Sequence, residues 1–269
     1  MAVFYDTHAH ITWPDFADDL AGVVSRAKDN GIERIITIGT DLESSERAIE
    51  IAAEFDEVFA VVGWHPGDVD AAPDDVRKEL KELAGRDKVV AIGETGLDYY
   101  RLPSTRGGTE ADDETYKARQ AVLFDQQLQI AEEARLNVVI HTRGDCFADT
   151  LGHLEPYHGK LRAVFHCFVE TPDNMRKVLA LDGLVSFTGI ATFKNAAEVR
   201  DTVSETPLDK LMVETDSPFL APMPFRGKKC QPAYTKYTAE KVAEVKGCSL
   251  EELSRVSCET AKGFFKGFG

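Results

Sequence analysis

No uninterrupted apolar run in this sequence approaches the ~18 residues that a membrane-crossing helix needs. The first residues, MAVFYD, carry neither the basic cluster nor the long apolar stretch of a secretory leader, so the expectation is a cytoplasmic protein with no membrane partner. Cysteine is sparse. The five residues Cys146, Cys167, Cys230, Cys248 and Cys258 include no C-x-x-C pair. That argues against a thiolate zinc site or a disulfide framework and for reduced thiols. Positive charge is also short: 31 Lys and Arg stand against 46 Asp and Glu, a formal net charge of −15. A protein that coats nucleic acid through a broad basic face is thereby excluded. An enzyme handling a phosphodiester in a local pocket is not, because divalent cations there would supply the charge. Internal repeats, low-complexity linkers and a Gly-rich phosphate loop after the first apolar run are all missing.

What is present is a rhythm. Eight short runs rich in Val, Ile and Phe recur: AVFYDTHAH, RIITIGT, VFAVVGWHP, KVVAIGETGLDY, NVVIHTR, RAVFHCF, GLVSFTG and KLMVETDSP. Seven are followed by helix-like stretches with apolar residues at i, i+3, i+4 spacing, several starting at Asp, Ser or Pro. Strands alternating with helices imply right-handed βαβ units and a parallel sheet. Near-continuous apolar strands imply cover on both faces. Eight units in a chain of 269 residues predict an α/β fold, a single (β/α)₈ TIM-type barrel spanning residues 1–269. A doubly wound open sheet is the runner-up. The insert LPSTRGGTEADDET after the fourth run is expected to be an irregular loop on the barrel mouth.

In such a barrel the active site lies at the C-terminal strand ends. Those ends carry His8 and His10 on the first strand, His65 on the third, Glu94 on the fourth, His141 on the fifth, His166 on the sixth and Asp216 on the eighth. Each has an ordinary reading by itself. Glu94 suits a salt bridge, Asp216 an N-cap, and a single histidine a satisfied core position. Five of seven histidines and two carboxylates on one ring would need as many separate explanations, whereas one metal centre accounts for them together. Imidazole and carboxylate suit Zn²⁺, Mn²⁺ and related ions, and six ligands suffice for two. The expected division is His8, His10 and Asp216 on one ion, His141 and His166 on the other, with Glu94 between. His153 and His158 are expected at the surface. Cys167, directly after His166, is expected to point away from the site and pack against a helix.

The segments DTHAH, GWHPGD, GETGLDYY, VVIHTR, FHCF, SFTGIATFKNA, ETDSPFLAP and PFRGK run in unbroken order from residue 4 to about residue 235. In this combination the chain resembles the TatD-type metal-dependent deoxyribonucleases of the amidohydrolase superfamily. The resemblance implies that His8 and His10 are the first metal pair, Glu94 the bridging carboxylate, and His141 and His166 the second site. It implies that Asp216 holds the first of two divalent ions (Mg²⁺, Mn²⁺ or Zn²⁺) and orients or deprotonates the attacking water. His65 corresponds to a substrate or transition-state contact, and Arg143 and Arg226 to phosphate-binding groups. The implied activity is hydrolysis of DNA phosphodiesters through a metal-activated hydroxide, 3′–5′ exonuclease-like on transiently bound single strands, with no obligate protein partner. Trp64 and Phe193 are candidate stacking platforms, with core packing as the alternative for each. Alternatives to the nuclease are a hydrolase of small phosphoesters or acyl or nucleotide conjugates, and a silent metal-binding scaffold. The chain departs from the family pattern at Val169-Glu170-Thr171, at Lys229-Cys230-Gln231-Pro232 and at Thr260. The first two bear on substrate preference.

Overall fold

The computed structural model describes residues 2–268. Its strands are β1 Phe4–Ala9, β2 Ile32–Ile38, β3 Val58–Val62, β4 Val89–Asp98, β5 Asn137–Arg143, β6 Ala163–Phe165, β7 Leu184–Phe187 and β8 Leu211–Val213. They pair in parallel in simple sequential order. The ends of this sheet meet each other. The Asp216 N–H donates to the His8 carbonyl at 2.9 Å, the His10 N–H to the Ser217 carbonyl at 2.8 Å, and the Thr7 hydroxyl to the Val213 carbonyl at 3.1 Å. The result is a (β/α)₈ TIM-type barrel, as the alternation of the sequence implies.

The helices are α1 Pro14–Ala17, α2 Leu20–Asp29, α3 Leu42–Glu54, α4 Arg77–Ala84, α5 Glu110–Ala134, α6 Phe147–Leu154, α7 Pro172–Ala180, α8 Ala197–Glu205, α9 Thr235–Lys246 and α10 Leu250–Phe264. Side-chain alternation splits the core into two layers. In β2, Ile35 packs outward under the helices, while Ile36 and Ile38 fill the barrel with Val61, Val139 and Met212. Each fully buried aliphatic side chain contributes about 1.5–3 kcal/mol relative to exposure. No helix among the described residues is long and apolar enough to cross a membrane.

One local expectation fails. The insert LPSTRGGTEADDET is only partly irregular: after a 3₁₀ turn at Pro103–Arg106, α5 begins at Glu110. Thr109 caps it reciprocally. Its side chain accepts from the Asp112 N–H at 3.3 Å, and the Asp112 carboxylate accepts from the Thr109 N–H at 2.8 Å. The acidic run that reads as loop is a first helical turn, where negative charge meets the positive end of the helix dipole.

Candidate metal centre

Every histidine and carboxylate of the predicted ring lies at the C-terminal end of the barrel. His8 and His10 sit two residues apart at the end of β1 and face the same way. Their Nε2 atoms are 3.3 Å apart. Asp216, after β8, adopts φ +58°, a left-handed conformation that Asp tolerates. Its Oδ1 lies 3.3 Å from His10 Nε2 and 3.7 Å from His8 Nε2. Glu94 Oε2 lies 3.4 Å from His8 Nε2 and 3.6 Å from His10 Nε2. Tetrahedral ligands at bonds of ~2.0–2.1 Å are separated by roughly 3.3–3.4 Å. His8, His10 and Asp216 therefore converge as ligands of one ion would, with Glu94 Oε2 beside the two imidazoles.

The second oxygen of Glu94 faces elsewhere. Oε1 lies 2.7 Å from His141 Nδ1 and 2.8 Å from His166 Nε2, and those two nitrogens are 3.4 Å apart. Glu94 is 2% exposed and offers one oxygen to each donor set, the disposition of a bridging carboxylate. The groupings His8–Glu94–His166, His8–His10–Asp216 and His65–Glu94–His141 each converge closely enough to hold a metal ion.

His65 Nε2 comes within 3.3 Å of His141 Nδ1 and 3.6 Å of Glu94 Oε1. The tautomer decides its part. His65 Nδ1 accepts the Gly67 N–H at 2.9 Å, so the neutral ring carries its proton on Nε2 and presents a donor to the site. Burial, then the adjacent His141, push its pKa down to about 3, so it stays neutral at ordinary pH. A neutral N–H donor suits contact with a substrate oxygen better than metal ligation.

Electrostatics divides the remaining rings. Burial and the neighbouring His166 lower His8. Burial also opposes charge on His10, His141 and His166, but carboxylates outweigh it: Asp216 for His10, Asp98 and Glu94 for His141, Glu94 and Glu214 for His166. In the other direction, burial opposes ionisation of Glu94 and Asp216. The surrounding imidazoles prevail, His166 first for Glu94 and His10 first for Asp216, and hold both below the usual carboxylate range.

Several supporting groups went unnoticed in the sequence. Asp98 Oδ2 lies 3.1 Å from His141 Nε2, which fixes a proton there and leaves Nδ1 free as a ligand atom. Its signal was the even spacing from Glu94 along β4. Glu214, 1% exposed and two residues before Asp216, accepts from the Cys167 N–H and the Ser186 hydroxyl and lies 3.4 Å from His166 Nδ1. Buried glutamines of α5 hold the loops. Gln127 exchanges two hydrogen bonds with the Trp64 backbone, and Gln120 bonds the Pro66 carbonyl and both backbone groups of Asp98.

Around this centre opens a cavity of ≈ 730 Å³ that reaches His10, His65, Glu94, Asp216 and Arg143. Arg143 is exposed and stacks over Tyr100, its guanidinium 4.1 Å from the ring centroid. Arg226 is not among the lining residues and instead lies 4.3 Å over Phe193. Arg226 and Phe193 are thus paired with each other, and neither is among the residues that line the cavity. Trp64 is buried, with its indole N–H donated to the Asp68 carbonyl, so it is a core residue. Cys167 does not pack outward. β6 ends at Phe165, strand alternation stops there, and with φ +46° Cys167 lines the cavity. All five cysteines are free. His158 is exposed, while His153 on α6 is partly buried and pairs with Asp125 at 2.6 Å.

The comparisons agree with this geometry. The family model described as TatD related DNase matches residues 5–266, and the chain belongs to that family. Among relatives, it is 38% identical over 266 residues to the uncharacterized metal-dependent hydrolase YabD of Bacillus subtilis (strain 168), covering 98% of this chain and 99% of that one. It is 38% identical over 264 residues to the uncharacterized metal-dependent hydrolase YcfH of Escherichia coli (strain K12), covering 97% and 94%. The crystal structure of YJJV, a TatD homolog from Escherichia coli K12, superposes with a TM-score of 0.88 at 26% identity over 97% of both chains. The protein is a metal-dependent hydrolase of the TatD family.

Proposed function

We propose that this TatD-family hydrolase holds two divalent ions and is a deoxyribonuclease that trims single-stranded DNA from an end. The observation that carries the reading is Glu94, whose Oε2 faces His8 and His10 while its Oε1 faces His141 and His166. Ions held by His8, His10 and Asp216 on one side and by His141 and His166 on the other would lower the pKa of water and offset phosphate charge.

The chain's own groups then divide the work. Asp216, kept ionised by its imidazole neighbours and lining the cavity, orients the attacking water and takes its proton. His65 donates Nε2–H to a non-bridging phosphate oxygen, and Arg143 offsets charge developing in the transition state. Asp98 and Glu214 keep His141 and His166 oriented. The acidic chain as a whole implies modest affinity and little reading of base sequence.

The test is release of nucleotides from an end-labelled single strand, with duplex DNA, RNA, small phosphoesters and acyl conjugates run in parallel. The metal-loaded wild type should degrade the single strand. Asp216→Asn should lose on the order of 10²–10⁴-fold while remaining folded. Retained turnover in that variant sinks the role of Asp216. An intact oligonucleotide beside hydrolysed small phosphoesters transfers the same site to the smaller substrate.

A further inference from the structure

The cavity mouth is chemically divided, and the division follows barrel topology. In an eight-stranded closed barrel the loops after β1 and β8 lie across the mouth from those after β4 and β5. On the first side stand Trp13 and Phe219, 36% and 43% exposed, two of the few large apolar side chains left in solvent. Their rings meet edge to face at 5.0 Å. Each hangs directly from the metal centre: the Trp13 N–H donates to the His10 carbonyl and the Phe219 N–H to the Asp216 carbonyl. Their centroids lie 6.0 and 6.5 Å from the His10 ring. On the second side the cavity is lined by Arg101, Arg106 and Arg143, all exposed. None has a carboxylate within 4.0 Å among the described residues, although the chain is strongly acidic.

Resting on the nuclease reading above, we infer that Trp13 and Phe219 form a subsite for the nucleobase of the terminal nucleotide, the arginine side taking the flanking phosphates. The two exposed rings, fixed nearly perpendicular beside the Asp216 side of the centre, offer a planar ligand the face of one ring to stack on and the edge of the other to abut. Anionic backbone is drawn to the opposite rim. Stacking of this kind accepts every base, because every base has a π-face. It also gives the mouth a direction, since base and phosphate are drawn to opposite sides of the metals.

The experiment compares two single strands that differ only in whether the terminal nucleotide carries a base or is abasic. Holoenzyme, Trp13→Ala, Phe219→Ala and the conservative Trp13→Phe and Phe219→Tyr variants are each assayed on both. Base–aromatic stacking of ~1–3 kcal/mol corresponds to a roughly 5- to 150-fold preference in kcat/KM for the base-bearing end. The alanine variants should bring that ratio toward one, chiefly through KM, and the conservative variants should keep most of it. An equal rate on both ends in wild type, or a ratio untouched by both alanine variants, overturns the subsite and leaves the nuclease reading standing.

If wild type cleaves neither strand, the nuclease reading falls and binding decides the subsite. The probe is the same pair of strands with phosphorothioate linkages, titrated against Trp13 emission, identified as the fluorescence missing from Trp13→Phe. Quenching by the base-bearing strand alone supports the subsite, and equal or absent quenching overturns it.

Discussion

At the scale of single residues the centre depends on which nitrogen of each imidazole carries the proton. His65 spends Nδ1 on the Gly67 N–H, and His141 faces Asp98 with Nε2, so two superficially similar rings present opposite chemistry to Glu94. Asp98→Asn should therefore act through His141. Its amide can present a donor where the carboxylate accepted, and loss of such outer-shell partners costs roughly 10–100-fold in metal affinity or activity. Metal titration of Asp98→Asn beside wild type checks this, and equal affinities would show that Asp98 is a bystander. The ring of His8, His10, His65, Glu94, His141, His166 and Asp216 was legible in the sequence because each follows an apolar run. Tautomers were not, since the Gly67 N–H reaches His65 only through the turn after β3, and Asp98 meets His141 only once β4 and β5 lie side by side. Trp13 was equally hidden. It stands three residues past His10, yet only the turn after β1 and the arrival of Phe219 from β8 make it part of the mouth.

At the scale of elements, β4 and β5 carry Glu94, Asp98 and His141, and Gly96 of β4 pairs with His141 of β5. Gly96 has φ +135°, and a Cβ placed there would meet the His141 carbonyl oxygen at 2.1 Å. Gly96→Ala should separate the strands at the metal centre, lowering thermal stability and metal content together. Differential scanning calorimetry and metal analysis of the purified variant measure both, and a variant with wild-type values would contradict the close-approach argument. Glycine in GETGLD thus has a steric reason that strand periodicity alone conceals. Element reading failed where polar composition hid a helix, at the acidic first turn of α5. It failed again at Cys167, where a three-residue strand ended before alternation placed the side chain. The buried glutamines of α5 also escaped notice. Long polar side chains on a helix read as a solvated face until the loops they hold are in place.

For the whole molecule, the barrel is open at the metal end and closed at the other. Phe264, Phe265 and Phe268 at the end of the described chain pack with Tyr5, Phe59 and the interior aliphatic residues. Phe265 is 2% exposed, with its ring 4.9 Å from Phe264 and 5.6 Å from Phe268. Phe265→Ala should cost about 3–5 kcal/mol of stability while leaving metal stoichiometry unchanged, because the cavity it makes lies at the far end of the barrel. Denaturant unfolding and metal analysis separate the two effects, and a loss of metal would show that the ends are coupled. The alternation of eight strands with helices made the architecture legible. The division of its mouth was not, because it depends on which loop residues β1 and β8 bring together. The central claim is that two ions bridged by Glu94 support hydrolysis. Its most direct test is turnover of an end-labelled single strand as Mn²⁺ is returned stepwise to chelator-stripped protein. The account requires silence without ions and a plateau only after the second equivalent per chain. Full turnover in chelator, or a plateau reached at the first equivalent, would contradict it.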